Sequence, residues 1–373
     1  MIARVLRAGS KAKFVMWRRY WGGSFLMSST HVGKLSPSRT EHLLAGALGR
    51  KSDKLIVGPG AGLDAAVLDL GDGRVMAVAE DPIFPAPGLP LEMFGQFTVH
   101  IGASDVAVTG IRPQFMTYTL LLPPGFSEED TRTIVTAVSD TAEELGISII
   151  GGHTGWYGAV TVPTVGGVTV WGYADSSEWI SPGGAYDGDV IILTKGPSIE
   201  AAALLAVLYR DRLSDRISEE MMERLCSRTE QITVVKDALT AFAAGGVHAM
   251  HDATEGGVLG GLWEMASAAG LKAHADLDSV PVPEDIEELS AALKFDPWAA
   301  ISEGTLLAAV KPDAVENVRA ALASEGIESY ILGRFDASRP ASTVHRNGKT
   351  EELAEPGIDP FWGLFFAGLE TGS

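Results

Sequence analysis

This chain has little cysteine, no long apolar run and few basic residues, and each of these features excludes a class of protein or partner. The single cysteine, Cys226, excludes an intrachain disulfide framework and favours a reducing, cytoplasmic setting. No run of about 18 apolar residues occurs, so a transmembrane helix is not expected. Basic residues are scarce, with 29 Lys and Arg against 48 Asp and Glu, and the net charge of −19 disfavours nucleic acid and anionic membranes as partners.

The charge is distributed unevenly along the chain. Residues 1–26 hold six basic residues and no acidic ones, so the net charge of −19 leaves −25 on the remainder. This basic, aromatic extension is typical of a transit or membrane-surface segment, or else indicates that translation starts at Met27. A protein this acidic can bind a polyphosphate only through metal ions, helix N-termini or a few placed cations.

Length and periodicity predict two domains of mixed α and β structure. A chain of 373 residues exceeds one ordinary core. The composition turns loop-like just before an apolar strand that begins at Val190, which places the boundary near residue 179. We therefore expect domains at 27–178 and 179–340, followed by a tail at 341–373. Both domains alternate helices with strands, as in α/β and α+β folds.

A predicted β-hairpin carries the first candidate metal ligands. With its turn centred on Asp72, the hairpin places Asp64 opposite Glu80, with Asp81 adjacent. Opposed Cβ atoms lie roughly 5 Å apart, and like charges at that distance repel unless a cation lies between them. Mg²⁺ suits such a cluster, because it binds one or two carboxylates together with phosphate oxygens and waters. Solvation of acidic strand ends is the alternative.

A fourth acid lies on the next predicted helix. Asp105 falls on the apolar stripe of a helix expected over 94–109, where a carboxylate is costly to bury without a partner. An ordinary partner would be a backbone donor or Arg112. The other candidate is the cation that the hairpin requires.

Glycines and one lysine are candidates for phosphate contact. Gly58, Gly60 and Gly62 can bring backbone N–H groups close to a phosphate, although the segment has neither a Walker nor a dinucleotide pattern. A flexible loop is the alternative. Lys195 ends a predicted strand and is either a phosphate contact or a solvated terminus.

A second glycine-rich block follows a strand predicted over 147–150. In Gly151, Gly152, His153 and Thr154, the imidazole can bind a metal or contact a phosphate. An ordinary hydrogen-bonded histidine is the alternative.

A third block links a strand to a helix. Asp252 or Thr254 can cap that helix, which leaves N–H groups and the positive end of the helix dipole facing outward. Gly256 and Gly257 would each weaken an ordinary helix by ~1 kcal/mol relative to Ala. Binding of an anion close to the helix backbone would offset that cost. Tight packing of the helix against its neighbours is the alternative.

Taken in this order, the segments resemble the PurM-like superfamily, which includes aminoimidazole ribotide (AIR) synthase, the hydrogenase-maturation protein HypE, selenophosphate synthetase and thiamine-monophosphate kinase. The likeness runs from about Gly33 to Gly333 and is greatest to HypE-like proteins related to AIR synthase. Six blocks carry it: Gly60–Val67, Glu80–Pro82, Ala103–Ala107, Gly151–Thr154, Gly188–Gly196 and His251–Gly257.

The resemblance implies a two-domain fold and a nucleotide site. The N-terminal α/β domain would form a dimeric β-barrel with its symmetry mate, and the C-terminal domain would be an α+β sandwich. ATP would lie in a cleft that uses both subunits, with Mg²⁺ held by Asp64, Asp81 and Asp105. Asp81, His153 and Asp252 would serve catalysis. The nucleotide would be bound by Asp105, Lys195, Thr154, Thr254 and Gly58, Gly60, Gly62, Gly151, Gly152, Gly256 and Gly257.

The implied activity is that of an ATP- and Mg²⁺-dependent homodimeric ligase, synthetase or kinase acting on an unknown small molecule. A nucleotide-binding maturation or scaffold factor without turnover is the alternative. Leu63 stands where many relatives have a second acid, which leaves the metal stoichiometry open. The chain ends at Ser373 without the terminal cysteine of HypE, and no cysteine precedes the glycine-rich segment. Hydrogenase maturation and selenophosphate synthesis are therefore not expected.

Overall fold

The computed structural model describes residues 32–44, 46–86 and 88–370. The basic extension predicted over 1–26 lies outside these residues. Within the described part, no helix has both the length and the apolar character needed to cross a membrane.

Six strands from the first half form one open, mixed sheet. They are β1 (Leu55–Val57), β2 (Ala66–Asp69), β3 (Arg74–Ile83), β4 (Phe115–Leu122), β5 (Ser148–Trp156) and β6 (Thr164–Asp175). The spatial order is β1-β2-β3-β6-β4-β5, and only β4 and β5 run parallel. The helices of this half are α1 (Pro37–Leu44), α2 (Leu91–Ala107) and α3 (Glu128–Leu145). Helix α2 packs on β3 and β6 and against α3.

Seven strands from the second half form another mixed sheet. They are β7 (Val190–Thr194), β8 (Val247–Asp252), β9 (Ala273–Asp276), β10 (Leu306–Val310), β11 (Ser329–Phe335), β12 (Thr343–Arg346) and β13 (Lys349–Glu352). Their order is β13-β12-β9-β11-β7-β10-β8. The helices are α4 (Ile199–Leu213), α5 (Glu219–Ser227), α6 (Val235–Ala244), α7 (Gly257–Ala269), α8 (Glu284–Leu293), α9 (Val315–Ser324) and α10 (Pro360–Glu370).

One apolar core joins the two halves. It includes Val106 of α2, Ala238 of α6 and Val310 of β10, all fully buried. Because this core holds α2 against the second sheet, the carboxyl end of β8 faces the acids of the first half. The candidate site is built at that junction.

One local prediction, the hairpin register, is confirmed, and a neighbouring helix shows ordinary capping. In the β2–β3 hairpin, Ala66 pairs with Val78, the register that a turn at Asp72 predicts. Helix α3 begins after Ser127, whose hydroxyl accepts the amide N–H of Asp130, and ends at Gly146 in the left-handed conformation (φ 73°).

The strand predicted to end at residue 150 continues to Trp156, so Gly151–Thr154 is strand rather than loop. The extension follows a bulge opposite Met116 and Thr117. Gly152 has φ 142°, and a Cβ there would lie 2.2 Å from the carbonyl oxygen of Tyr118. Glycine lets the backbone stay paired where a side chain would push the strands apart.

The segment predicted as a tail at 341–373 contains ordered elements. Its hairpin, β12–β13, joins the second sheet through β9. Helix α10 packs its aromatic residues on α4, where the hydroxyl of Tyr209 donates to the carbonyl of Leu364 at 2.7 Å. The first sheet is open in the single chain, so the shared barrel remains a prediction about a dimer.

Candidate cation and nucleotide site

The tertiary structure brings Asp64, Asp81 and Asp105 together, from the loop before β2, from β3 and from α2. The carboxyl groups of Asp81 and Asp105 lie close enough to affect each other's pKa. Burial, and then the charges of Asp81 and Asp252, raise the pKa of Asp105 well above its ordinary value. Arg112, the alternative partner, is exposed and makes no ion pair with Asp105 in the described structure. Two buried carboxyl groups this close to each other indicate a place where a cation would relieve repulsion.

Asp252 at the end of β8 completes the cluster. It is only 1% exposed, and burial and the charge of Asp64 raise its pKa to about 7. Both of its carboxylate oxygens, and Oδ2 of Asp81, are buried without a hydrogen-bond partner among the described residues. Buried polar atoms of this kind are rare without a water or an ion. An oxygen-only set of carboxylates with unpaired oxygens fits the ligand preference of Mg²⁺.

Glu80 lies apart from this cluster although the hairpin predicts it nearby. It is exposed, and its carboxylate accepts the hydroxyl of Thr169 at 3.2 Å on β6. Successive side chains of a strand point to opposite faces, so Asp81 turns inward where Glu80 turns outward.

His251 anchors the cluster from the second sheet. Its Nδ1 donates to Asp64 at 2.7 Å and its Nε2 donates to Glu264 of α7 at 3.0 Å. Burial opposes the charged ring, yet the charges and hydrogen bonds of these two acids raise the pKa of His251 well above its ordinary value. Atoms of Asp64, His251 and Asp252 lie within 4.8 Å of one another. Because both ring nitrogens are engaged, we assign His251 to holding Asp64 rather than to binding metal.

Lys34 brings a positive charge to the same place. Its Nζ lies 3.3 Å from Glu264, and its side chain is half exposed. Burial opposes its charge, but Glu264, Asp64 and Asp105 outweigh burial and raise the pKa of Lys34. Burial raises the pKa of Asp81, and the positive charge of Lys34 opposes that rise. No sequence pattern singled out this residue, because its partner is 230 positions away.

Gly62 explains how the loop before β2 reaches α7. It has φ 71°, and a Cβ there would lie 2.5 Å from the carbonyl oxygen of Glu264. Only glycine allows this approach, which delivers Asp64 to His251. Gly58 and Gly60 lie in the same loop, where an added Cβ would meet only leucine side chains.

A second buried acid lies beside Asp252. Glu303 is 2% exposed, and neither of its carboxylate oxygens has a hydrogen-bond partner in the described structure. Its backbone N–H donates to Glu200 of α4 at 3.3 Å. Burial, and then the charges of Asp252 and Glu200, raise the pKa of Glu303 well above its ordinary value. A lone acid before an apolar strand offers no sequence signal, so sequence reasoning missed it.

The block Gly151–Thr154 is not joined to the acids within one chain. It lies on β5, an exposed edge strand separated from β3 by β4 and β6. Three strand spacings amount to roughly 14 Å. The ring of His153 hydrogen-bonds the hydroxyl of Tyr157 and is exposed.

Lys195 is held by neighbours of its own. Its Nζ donates to the carbonyl of Thr233 at 2.7 Å and lies 3.0 Å from Asp237. It has φ 63°, unusual for a residue with a Cβ. Lys195 therefore contacts no member of the acid cluster directly.

The N-terminus of α7 is occupied by a carboxylate of the protein itself. The N–H of Gly256 donates to the carboxylate of Asp359 at 2.7 Å. Gly257 has φ 61°, and a Cβ there would lie 2.6 Å from the carbonyl oxygen of Ala300, so it serves close packing. Thr254 is partly exposed beside this turn.

Comparison with known proteins assigns the fold. The N-terminal domain model of AIR synthase related proteins matches residues 62–174, and the C-terminal domain model matches 187–345. The chain belongs to the AIR synthase related family. It is 26% identical to a selenide, water dikinase of Myxococcus xanthus over 84% of this chain and 94% of that protein. It is 28% identical to the carbamoyl dehydratase HypE of Escherichia coli over 72% and 74%, respectively.

A solved structure of the hydrogenase maturation protein HypE in complex with ATP has the same fold, with a TM-score of 0.64 at 19% identity. It covers 88% of this chain and 97% of that one. These findings confirm the resemblance read from the sequence and the two-domain, PurM-like α/β fold.

Glu200 gives this family member a testable pH dependence. Burial raises the pKa of Glu200 to about 8. The backbone N–H of Glu303 lowers this pKa by donating to the carboxylate, whereas the charges of Asp359 and Glu255 raise it further. The folded state therefore binds an extra proton between the unfolded pKa, near 4.5, and about 8, so this group lowers stability as pH rises through that window. We expect Glu200→Gln to gain about 1–2 kcal/mol over wild type between pH 6 and pH 8 in metal-free urea unfolding.

Glu284→Gln is the matched control, because Glu284 is 72% exposed in a surface ion pair. Its difference from wild type should stay constant over the same pH range. A flat difference for Glu200→Gln would contradict the assignment.

Proposed function

We propose that this protein is a Mg²⁺-dependent, ATP-binding enzyme that transfers a phosphoryl group to a small molecule, or activates the molecule through one. The observation that carries the proposal is the convergence of Asp64, Asp81, Asp105 and Asp252, with buried oxygens that have no partner among the described residues. A relative named as a dikinase and a fold neighbour that holds ATP support the same chemistry.

Each group has a distinct role in this proposal. The four aspartates would hold Mg²⁺, which when bound neutralises phosphate charge. The ammonium of Lys34 sits beside the cluster and half exposed, where it can contact a phosphate oxygen. Burial raises the pKa of Glu303 well above its ordinary value, which favours the protonated carboxyl group, and Glu303 can hold or move that proton at the acceptor. His251 keeps Asp64 in place.

The open edge strand supports a homodimer as part of this proposal. β5 leaves one row of backbone N–H and C=O groups unpaired with any described strand, and it exposes Ile150 (59%) and Trp156 (48%). A symmetry mate would cover this edge and would place Gly151–Thr154 against another chain. Sedimentation should show a dimer, and Ile150→Lys should shift it to monomer; a wild-type monomer at all concentrations would exclude the dimer.

Calorimetry of ATP binding tests the proposed function. We expect saturable binding with Mg²⁺ and little or none with EDTA, because the acidic cluster alone repels phosphates. Equal ATP affinity in the two buffers, or none in either, would refute the proposal.

A nucleotide-binding factor without turnover is the second candidate. It is favoured by Leu63, which packs against the core where many relatives have an acid, and by Asp359, which occupies the N-terminus of α7. Release of ADP in the presence of Mg·ATP and candidate acceptors separates the two. Binding without any ADP release across amide, amine and phosphate acceptors would favour the factor.

A further inference from the structure

A cavity of about 320 Å³ lies on the second sheet, at strands β9, β11, β12 and β13. Its lining shares none of the residues of the acidic cluster. On these strands Ala273, Ala275 and Val344 are buried in the core. Alternation therefore turns His274 and Thr343 to the opposite face, where the cavity opens.

A row of hydrogen-bond donors crosses the strands at this cavity. Arg334 pairs in register with His274, which pairs with Thr343. Nδ1 of His274 lies 2.8 Å from the hydroxyl of Thr343, while its Nε2 is buried without a partner in the described structure. Burial, and then the charges of Arg339 and Arg334, lower the pKa of His274, so the ring is neutral. In the tautomer in which Thr343 donates to Nδ1, Nε2 carries the proton and is a donor without a partner among the described residues.

The guanidinium group of Arg334 also has no partner among the described residues. Its side chain is exposed on the cavity wall and makes no hydrogen bond or ion pair with any described residue. Arg339, on the same wall, is 58% exposed and lies 3.4 Å from Asp336. Two guanidinium groups and one imidazole ring thus line one cavity.

The acids around the cavity are engaged by their own turns. The carboxylate of Asp278 accepts backbone N–H groups of Asn347 at 2.9 Å and Gly348 at 3.1 Å. Asp336 accepts both the N–H and the hydroxyl of Ser338. Asp276 accepts the N–H of Asp278 at 3.1 Å. These carboxylates already accept hydrogen bonds from their own turns, whereas Arg334 has no partner among the described residues, so we expect the cavity to bind an anion rather than a cation.

We propose that this cavity is a binding site for a phosphate group, free or carried by a small metabolite, with Arg334 and His274 as its donors. The volume is at the lower end of the range for small-molecule sites, which suits a phosphorylated metabolite. The guanidinium can bind two phosphate oxygens together, and Nε2–H of His274 a third. The site does not depend on the proposed nucleotide function.

A titration of the full chain with EDTA present tests this site. The probes are inorganic phosphate and glycerol 3-phosphate, followed by ³¹P NMR, with Mg²⁺ absent so that the acidic cluster repels anions. We expect saturable binding of both probes. A higher affinity for inorganic phosphate would identify free phosphate as the ligand, and a higher affinity for glycerol 3-phosphate would identify a phosphorylated metabolite. Both affinities should fall at least about 10-fold in Arg334→Gln and in His274→Ala. Because the side chain of Arg334 is exposed, the Arg334→Gln variant should have the melting temperature of the wild type.

Lys349→Gln is the matched control, since Lys349 is exposed on the same hairpin and does not line the cavity. It should bind both probes as wild type does. Absence of saturable binding in wild type, or equal binding in Arg334→Gln, would overturn the proposal. So would saturable Mn²⁺ binding that Asp278→Asn abolishes, because atoms of Asp276, Asp278 and His345 lie within 4.8 Å of one another and would then form a cation site.

Discussion

Replacement of Asp81 by Asn is expected to weaken Mg²⁺-dependent ATP binding about 100-fold, or ~2.7 kcal/mol. Asp81 contributes a buried oxygen that has no partner in the described structure, and its carboxyl group lies beside that of Asp105. The amide keeps the shape, but it removes the charge that would face the cation. Metal-free stability should be unchanged or higher, because the substitution removes a repelled, buried carboxyl group.

Glu80→Gln is the matched control for Asp81→Asn. It removes the same charge one residue away, on the face that meets Thr169 rather than the cluster. We expect its Mg·ATP affinity to stay within about 3-fold of wild type in the same calorimetry. If both variants lose affinity equally, net charge rather than a metal site controls binding. If neither does, the four aspartates do not hold the cation.

Replacement of His251 by Ala is expected to produce the largest loss of stability, about 3–5 kcal/mol. The ring is 1% exposed and lies between Asp64 and Glu264, which are themselves largely buried. Without it, two carboxylates remain in the interior with Lys34 as their nearby cation. A buried ion pair that loses one partner leaves an uncompensated charge, which is why the cost is large.

The loss in His251→Ala should depend on pH with a definite sign. In wild type, burial opposes the ionised form of Glu264, but the bonds and charge of His251 and Lys34 lower its pKa to about 2. This contribution is therefore present above the unfolded pKa, near 4.5, and is lost as pH falls toward 2. In the variant the freed Glu264 carboxyl group can take up a proton, so the difference from wild type should widen from pH 4 to pH 6, below the unfolded pKa of His251 near 6.5, in urea unfolding.

His345→Ala is the matched control for this buried histidine. Its ring nitrogen lies 3.8 Å from Asp278 with both side chains about two-fifths exposed, so removal should cost less than about 1 kcal/mol. Equal losses in the two variants would show that His251 has no special role. Mg·ATP binding should weaken in His251→Ala alone, because Asp64 is no longer held.

Local patterns were sufficient for part of this site. The β2–β3 register follows from one turn, and the apolar stripe of α2 marks Asp105 as a carboxylate that needs a partner. Those features predict which acids face inward, since strand alternation and helical spacing are set by neighbours in sequence. The hairpin prediction placed Glu80 too close, because it grouped two adjacent residues whose side chains point to opposite faces of the sheet.

Other residues were beyond the reach of local patterns. The Gly151–Thr154 block was predicted to follow a strand that ends at residue 150, whereas it continues that strand at the edge of the sheet, where its path depends on pairing with β4. Glu303 carries no local signature, yet it is buried beside Asp252. Asp359 occupies a helix N-terminus that the sequence offered to a ligand.

The sequence by itself determined the two-domain α/β family fold, the hairpin register and the set of aspartates that converge, because each depends on periodicity, turn chemistry or an ordered series of motifs. Only the tertiary structure decided how those aspartates are held. His251 and Asp64 are 187 residues apart, and Lys34 and Glu264 are 230 apart, so their meeting depends on which cores pack together. Charge pairs of that kind gain their strength from long-range burial, and burial is a property of the folded chain rather than of any segment within it.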